Sequence, residues 1–122
     1  MSRLDRDLLK EVTRRLVAEF RPEKVILFGS HAWGRPDRNS DVDLMVIVTN
    51  SDLSAYERAV RGHACLSGLD IAKDVIVETR TEFDFFQDVR ASLEHKVAKE
   101  GKVLYERSQT SIRTKLAHQS AT

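Results

Sequence analysis

The sequence predicts a small α/β (α+β) domain: a mixed sheet of three or four strands packed by helices. Three observations predict it. Apolar runs at residues 25–28, 44–48 and 75–77 are short and unbroken, as in strands covered on both faces. Between and around them lie segments with apolar residues about every four positions, as in amphipathic helices. Some connections are long enough for crossovers, while a last short run can pair antiparallel, so a mixed sheet is expected and its strand order is left open.

In chain order, Leu4, Leu8, Val12, Leu16 and Phe20 form one apolar stripe among charges, with Ser2 and Asp5 as a capping pair and Pro22 as the stop. Residues 25–28 predict an inner strand. Gly29 permits a tight turn, Ser30 is placed to cap a short helix over residues 30–33, and Gly34 closes it. Residues 35–40 are turn formers and charges, read as a loop over a site. A strand at 41–48 follows. Ser51 or Asp52 then caps a helix with Leu53, Tyr56, Val60 and Ala64 on one side and a stop near Gly68. A third strand spans 75–77 with Asp74 at its entry. Thr81 is expected to cap a helix carrying Phe85, Val89, Leu93 and Val97, broken in two near Asp88. Gly101 ends it, and residues 102–105 predict a short edge strand. Residues 1–106 are thus read as one domain and 107–122 as a polar tail, in which Ile112 and Leu116 stand alone at helical spacing.

Composition narrows the function classes. A length of 122 residues suits one core, with 41% hydrophobic and 32% charged residues. The net charge of +1 gives no global attraction to nucleic acid or to an acidic membrane. The single cysteine, Cys65, excludes an intramolecular disulfide and a cysteine-rich zinc site. The charged start and the lack of a long apolar run lead to the expectation of a cytoplasmic protein.

The chemistry concentrates in GSHAWGRPDRNSDVD, residues 29–43. Alternation along a strand puts Asp41 and Asp43 on one face, where two carboxylates repel unless a cation or proton lies between them. Such a pair can hold Mg²⁺, which prefers oxygen ligands and phosphate. Asp41 can equally bond the loop backbone, with Asp43 merely exposed. Asp74 can join the pair if its strand is adjacent, or can pair with Lys73; Asp70 and Glu78 are rival third carboxylates. Gly29 and Ser30 offer backbone N–H groups to a phosphate. Arg35 and Arg38 can clamp phosphate or solvate the loop. His31 has no partners at zinc-ligand spacing. Trp33 is read as packing its short helix on the sheet, and the lone Gly34-Arg35-Pro36 tripeptide gives little support to DNA binding.

The pattern Gly29-Ser30, ten residues, then Asp41-Val42-Asp43 between apolar runs resembles the signature of the DNA polymerase beta-like nucleotidyltransferase superfamily. It is most similar to the minimal nucleotidyltransferase (MNT) branch, whose small members usually read GSxARG where this chain has GSHAWG. The resemblance extends to KDVIVETRTEF, where Asp74 matches the third carboxylate, and to the closing EGKVLYE. It implies that Gly29 and Ser30 hold the distal phosphates of ATP, that Asp41, Asp43 and Asp74 bind Mg²⁺, and that Asp74 helps activate an acceptor hydroxyl. His31 and Trp33 stand where arginines are commoner.

The resemblance also implies a partner. Small MNT proteins are often paired with HEPN-domain toxins, and those described as enzymes transfer AMP to a toxin tyrosine. The expected function is therefore magnesium-dependent AMP transfer to a partner hydroxyl. One alternative is an antitoxin acting by binding alone. Another is transfer to a small hydroxylated molecule, for which a homo-oligomer would supply the missing wall.

Overall fold

A computed structural model describes residues 6–34 and 41–108. Among these residues, five helices and four strands follow one another as α1 (Arg6–Phe20), β1 (Lys24–Phe28), α2 (Ser30–Trp33), β2 (Val42–Val48), α3 (Ala55–Cys65), β3 (Lys73–Thr79), α4 (Arg80–Gln87), α5 (Leu93–Glu100) and β4 (Lys102–Glu106). The strand order is β3-β2-β1-β4. Strands β2 and β3 run parallel, and β1 pairs antiparallel with both β2 and β4, so the expected mixed sheet is present. Among the described residues no helix is long and apolar enough to cross a membrane.

Side-chain alternation divides the sheet into two packed faces. Val25, Leu27, Leu44, Val46, Val75 and Val77 turn toward α1 and α3, where Val12, Leu16 and Leu66 complete one core. Ile26, Phe28, Met45 and Ile47 turn the other way, against Phe83 of α4 and Val97 of α5. The central strands are buried on both sides, which is why β1 and β2 read as continuous apolar runs.

Several local expectations change. Ser30 does not cap α2: Gly29 occupies the cap position, no side chain caps the helix, and its carbonyl receives the N–H groups of Ala32 and Trp33. Helix α3 is capped by Ser54 in a reciprocal box with Glu57, whereas Ser51 Oγ accepts from Leu53 N in the preceding turn. Its inward face carries Arg58 and Gly62, while Tyr56 and Val60 point outward, 78% and 48% exposed. The cause is close approach: a Cβ on Gly62 would lie 2.7 Å from Val75 Cγ1, so the helix meets β3 at its glycine.

Helix α4 begins earlier than expected, capped by Thr79 with Glu82 and not by Thr81. The break near Asp88 is present: Asp88 ends α4, and Ser92 Oγ caps α5 by accepting from His95 N. That break changes the helical phase, so Phe83 and Val97 are buried, whereas Phe85, Val89 and Leu93 are exposed. Gly101 does end α5, but with extended backbone; a Cβ there would meet Ile26 Cγ2 at 2.5 Å. The capping pair Ser2/Asp5 and the apolar pair Ile112/Leu116 lie outside the described residues.

Candidate active site

The topology draws three separate stretches to one end of the sheet. Phe28, the last residue of β1, pairs with Asp43 near the start of antiparallel β2. Asp43 in turn lies opposite Asp74 in the parallel register of β2 with β3. Gly29, next after Phe28, therefore turns beside Asp43. A Cβ on Gly29 would fall on Asp43 Oδ2, and its φ of +79° suits glycine alone. Two separate demands thus fix a glycine here: the backbone conformation and the space taken by the carboxylate.

Asp43 and Asp74 have the strand parity of Met45 and Ile76, which places them on the face packed by α4 and α5. Asp43 is half-buried; Asp41, just before β2, and Asp74 are exposed. Burial raises the pKa of Asp43, and the negative charges of Asp74 and Asp41 raise it further, opposed by His31. Asp43 thus feels the charge of both other carboxylates. Asp74 Oδ1 also lies 3.6 Å from His63 Nε2 of α3, a contact open to it because β3 is the sheet edge.

The rival carboxylates separate from this group. Asp70 sits in the turn before β3, and Glu78 pairs with Ile47 toward the other end of the strand. Glu78 Oε1 is buried with no hydrogen-bond partner, and burial together with Glu94 pushes its pKa up to about 8. It is a partly buried carboxyl between β3 and α5, remote from Asp74. Arg35 and Arg38 lie outside the described residues. Trp33 packs as expected, 6.0 Å between ring centroids from Phe28, with Lys96 Nζ 4.7 Å above its ring.

Sequence pattern gives no role to two charged residues that matter here. Arg58, 4% exposed, donates to Val77 O and forms a two-pronged pair with Glu82 at 2.8 and 3.0 Å. It ties α3, β3 and α4 together at the end of β3 away from Asp74. Its signal would have been the capping glutamate Glu82, which already has one role at the start of α4. His63 carries no signal, since its approach to Asp74 depends on where α3 crosses β3.

Among the described residues no three acidic or imidazole side chains form a ready-made metal cage. The donor set nevertheless fits Mg²⁺ in the way that ion is usually held, by one or two carboxylates with phosphate and water completing its octahedron. Asp43 and Asp74 in register supply the carboxylates, and Gly29 lets the turn lie directly against the Asp43 carboxylate.

Comparison with known proteins gives the family of this chain, which sets two strand-borne aspartates beside a Gly-Ser turn. The polymerase beta nucleotidyltransferase family model matches residues 10–110, and the chain belongs to that family. Among solved structures, it is similar to a protein of Sulfolobus solfataricus provisionally assigned as a nucleotidyltransferase, with 22% identity, a TM-score of 0.57, and coverage of 81% of this chain and 78% of that one. It is also similar to a toxin–antitoxin chain solved with AMP-PNP, with 23% identity, a TM-score of 0.53, and coverage of 93% and 88%. Comparison with the curated proteins finds no match.

Proposed function

We propose that this chain is a magnesium-dependent nucleotidyltransferase that moves AMP from ATP to a hydroxyl, a tyrosine of a HEPN-domain toxin, and so acts as an antitoxin. The observation that carries the reading is the register of Asp43 with Asp74, at the strand ends where Gly29-Ser30 turns. The family supports the reaction type, and the similar toxin–antitoxin structure with AMP-PNP supports an adenine nucleotide and a partner protein.

In this reading Gly29 and Ser30 hold the distal phosphates, with Arg35 and Arg38 as further phosphate contacts. Asp41, Asp43 and Asp74 hold Mg²⁺, which when bound neutralises phosphate charge and lowers the pKa of the attacking hydroxyl. The hydroxyl oxygen forms a bond to the α-phosphorus, the bond to the β-phosphate oxygen breaks, and pyrophosphate leaves. Asp74, exposed at the sheet edge, accepts the hydroxyl proton. An exposed base suits a macromolecular acceptor, which must reach the site from outside.

The test is the intact mass of a HEPN partner after incubation with this chain, Mg²⁺ and each nucleoside triphosphate. A gain of one adenylate, lost in the Asp41→Ala/Asp43→Ala variant, is the expected result. A tight complex formed equally by both versions, with no mass gain, would replace transfer by binding alone.

A further inference from the structure

Among the described residues, the face of the sheet opposite the carboxylates is not fully covered. Helices α1 and α3 lie over β1, β2 and β3, and an open groove of about 400 Å³ runs between α1 and β4. Leu9, Thr13 and Val17 form one wall of it, and Leu104 and Tyr105 the other. The wall residues on α1 recur every four positions, so they form a straight ridge along the helix, a shape that accepts the ridge of another helix.

The rim is charged with one sign. Arg6, Lys10 and Arg14 also recur every four positions and border the groove along α1. Arg14 is spent within the chain, since Glu11 receives both its Nε and its Nη2, at 3.0 and 2.7 Å. Arg6 and Lys10 have no ion pair among the described residues. An apolar floor beside two cations one helical turn apart, neither ion-paired among the described residues, defines the chemistry of what fits: apolar residues at helical spacing, flanked by carboxylates.

We infer that the α1/β4 groove is a docking site for an acidic amphipathic helix of a partner protein, separate from the nucleotidyl-transfer centre. Charge selects this occupant over the chain's own residues 109–122, whose Ile112 and Leu116 are accompanied by Arg113 and Lys115. Like charges would face Arg6 and Lys10. Because the groove and the aspartates lie on opposite faces of the sheet, a partner held there leaves the strand-end carboxylates open.

The probe is a fluorescent 15-residue helical peptide with leucines on one face and glutamates along one flank, titrated with the full-length chain at low salt. Binding is expected to shift backbone amide resonances of α1 and β4, and to weaken about tenfold in the Arg6→Glu/Lys10→Glu variant. The same peptide with lysines for glutamates should prefer that variant. Both substitutions are at exposed positions, and circular dichroism checks that the fold persists. Equal binding of the acidic and basic peptides by the unaltered chain would overturn the inference. So would resonance shifts confined to other elements. A several-fold tightening in the full-length Ile112→Ser/Leu116→Ser variant would also overturn it, by making the chain's own segment the occupant. Nucleotidyl transfer does not enter any of these readouts, so this inference and the proposed reaction fail independently.

Discussion

Replacing Glu78 by glutamine should stabilise the protein at alkaline pH and leave it unchanged in acid. Burial, reinforced by Glu94 and then Glu82, pushes the Glu78 carboxyl from an ordinary 4.5 to about 8, against a weaker opposing pull from Arg58. The folded state therefore binds the proton more tightly than the unfolded state. The associated stability is fully present below about pH 4.5 and is lost as pH rises to about 8. A tenfold difference in proton affinity between the two states is worth about 1.4 kcal/mol, so the rise to about 8 sets an upper bound of roughly 5 kcal/mol. Glu78 is only partly buried, so solvent screening reduces this to about 2 kcal/mol. Glutamine has nearly the same shape, donates to Glu94 as the protonated acid does, and cannot ionise. In thermal unfolding followed by circular dichroism, the variant should match the parent at about pH 4.5 and exceed its Tm by on the order of 10 °C at about pH 8.5. An equal Tm difference at both pH values, or a lower Tm for the variant in alkali, would refute the raised pKa of Glu78.

Three further substitutions test the packing that holds the site. Gly62→Ala drives a methyl into Val75 at the α3/β3 contact and should cost about 1–3 kcal/mol in urea unfolding, with α3 displaced from β3. Gly29→Ala meets both an unfavourable φ and Asp43 Oδ2; it should cost about 1–3 kcal/mol and abolish transfer, whereas Gly68→Ala, with the same kind of φ (+90°) but nothing in the way of a Cβ, should cost backbone strain yet retain transfer. Arg58→Met removes the main cause holding the Glu82 carboxyl down at about 2, so the stability it contributes is present above about pH 4.5 and lost as pH falls toward 2. With Glu82 43% exposed, urea unfolding at neutral pH should show a loss of about 1–2 kcal/mol that shrinks in acid.

The sequence carries the sheet more clearly than the helix faces, for a physical reason. An inner strand buried on both sides must be apolar throughout, so residues 25–28 and 44–48 announce themselves. A helix can instead meet a strand through glycine, as α3 does at Gly62, and then its largest apolar residues, Tyr56 and Val60, are left facing out. The same ambiguity misplaces Phe85 and Leu93, because the break after Asp88 resets the helical phase. The caps at Ser54 and Thr79 lie a few residues from the expected positions, each chosen by a glutamate three positions on. In the site, Asp43 follows from strand alternation, whereas Asp41 precedes β2, which begins at Val42 and not at residue 41 as expected. The juxtaposition of Asp74 with Asp43 required the parallel pairing of β2 with β3, which pattern does not reveal, and His63 beside Asp74 required the crossing of α3.

The most direct test of the central claim follows the fate of each phosphate. In a reaction of this chain with Mg²⁺ and the proposed HEPN-domain partner, ATP labelled at the α-phosphate should leave its label on the partner, and ATP labelled at the γ-phosphate should release it in pyrophosphate. Asp43→Asn should abolish the α-label transfer while the fold, checked by circular dichroism, persists. Undiminished α-label transfer by Asp43→Asn, or transfer of the γ-label to the partner, would contradict a nucleotidyl-transfer centre built on Asp43 and Asp74.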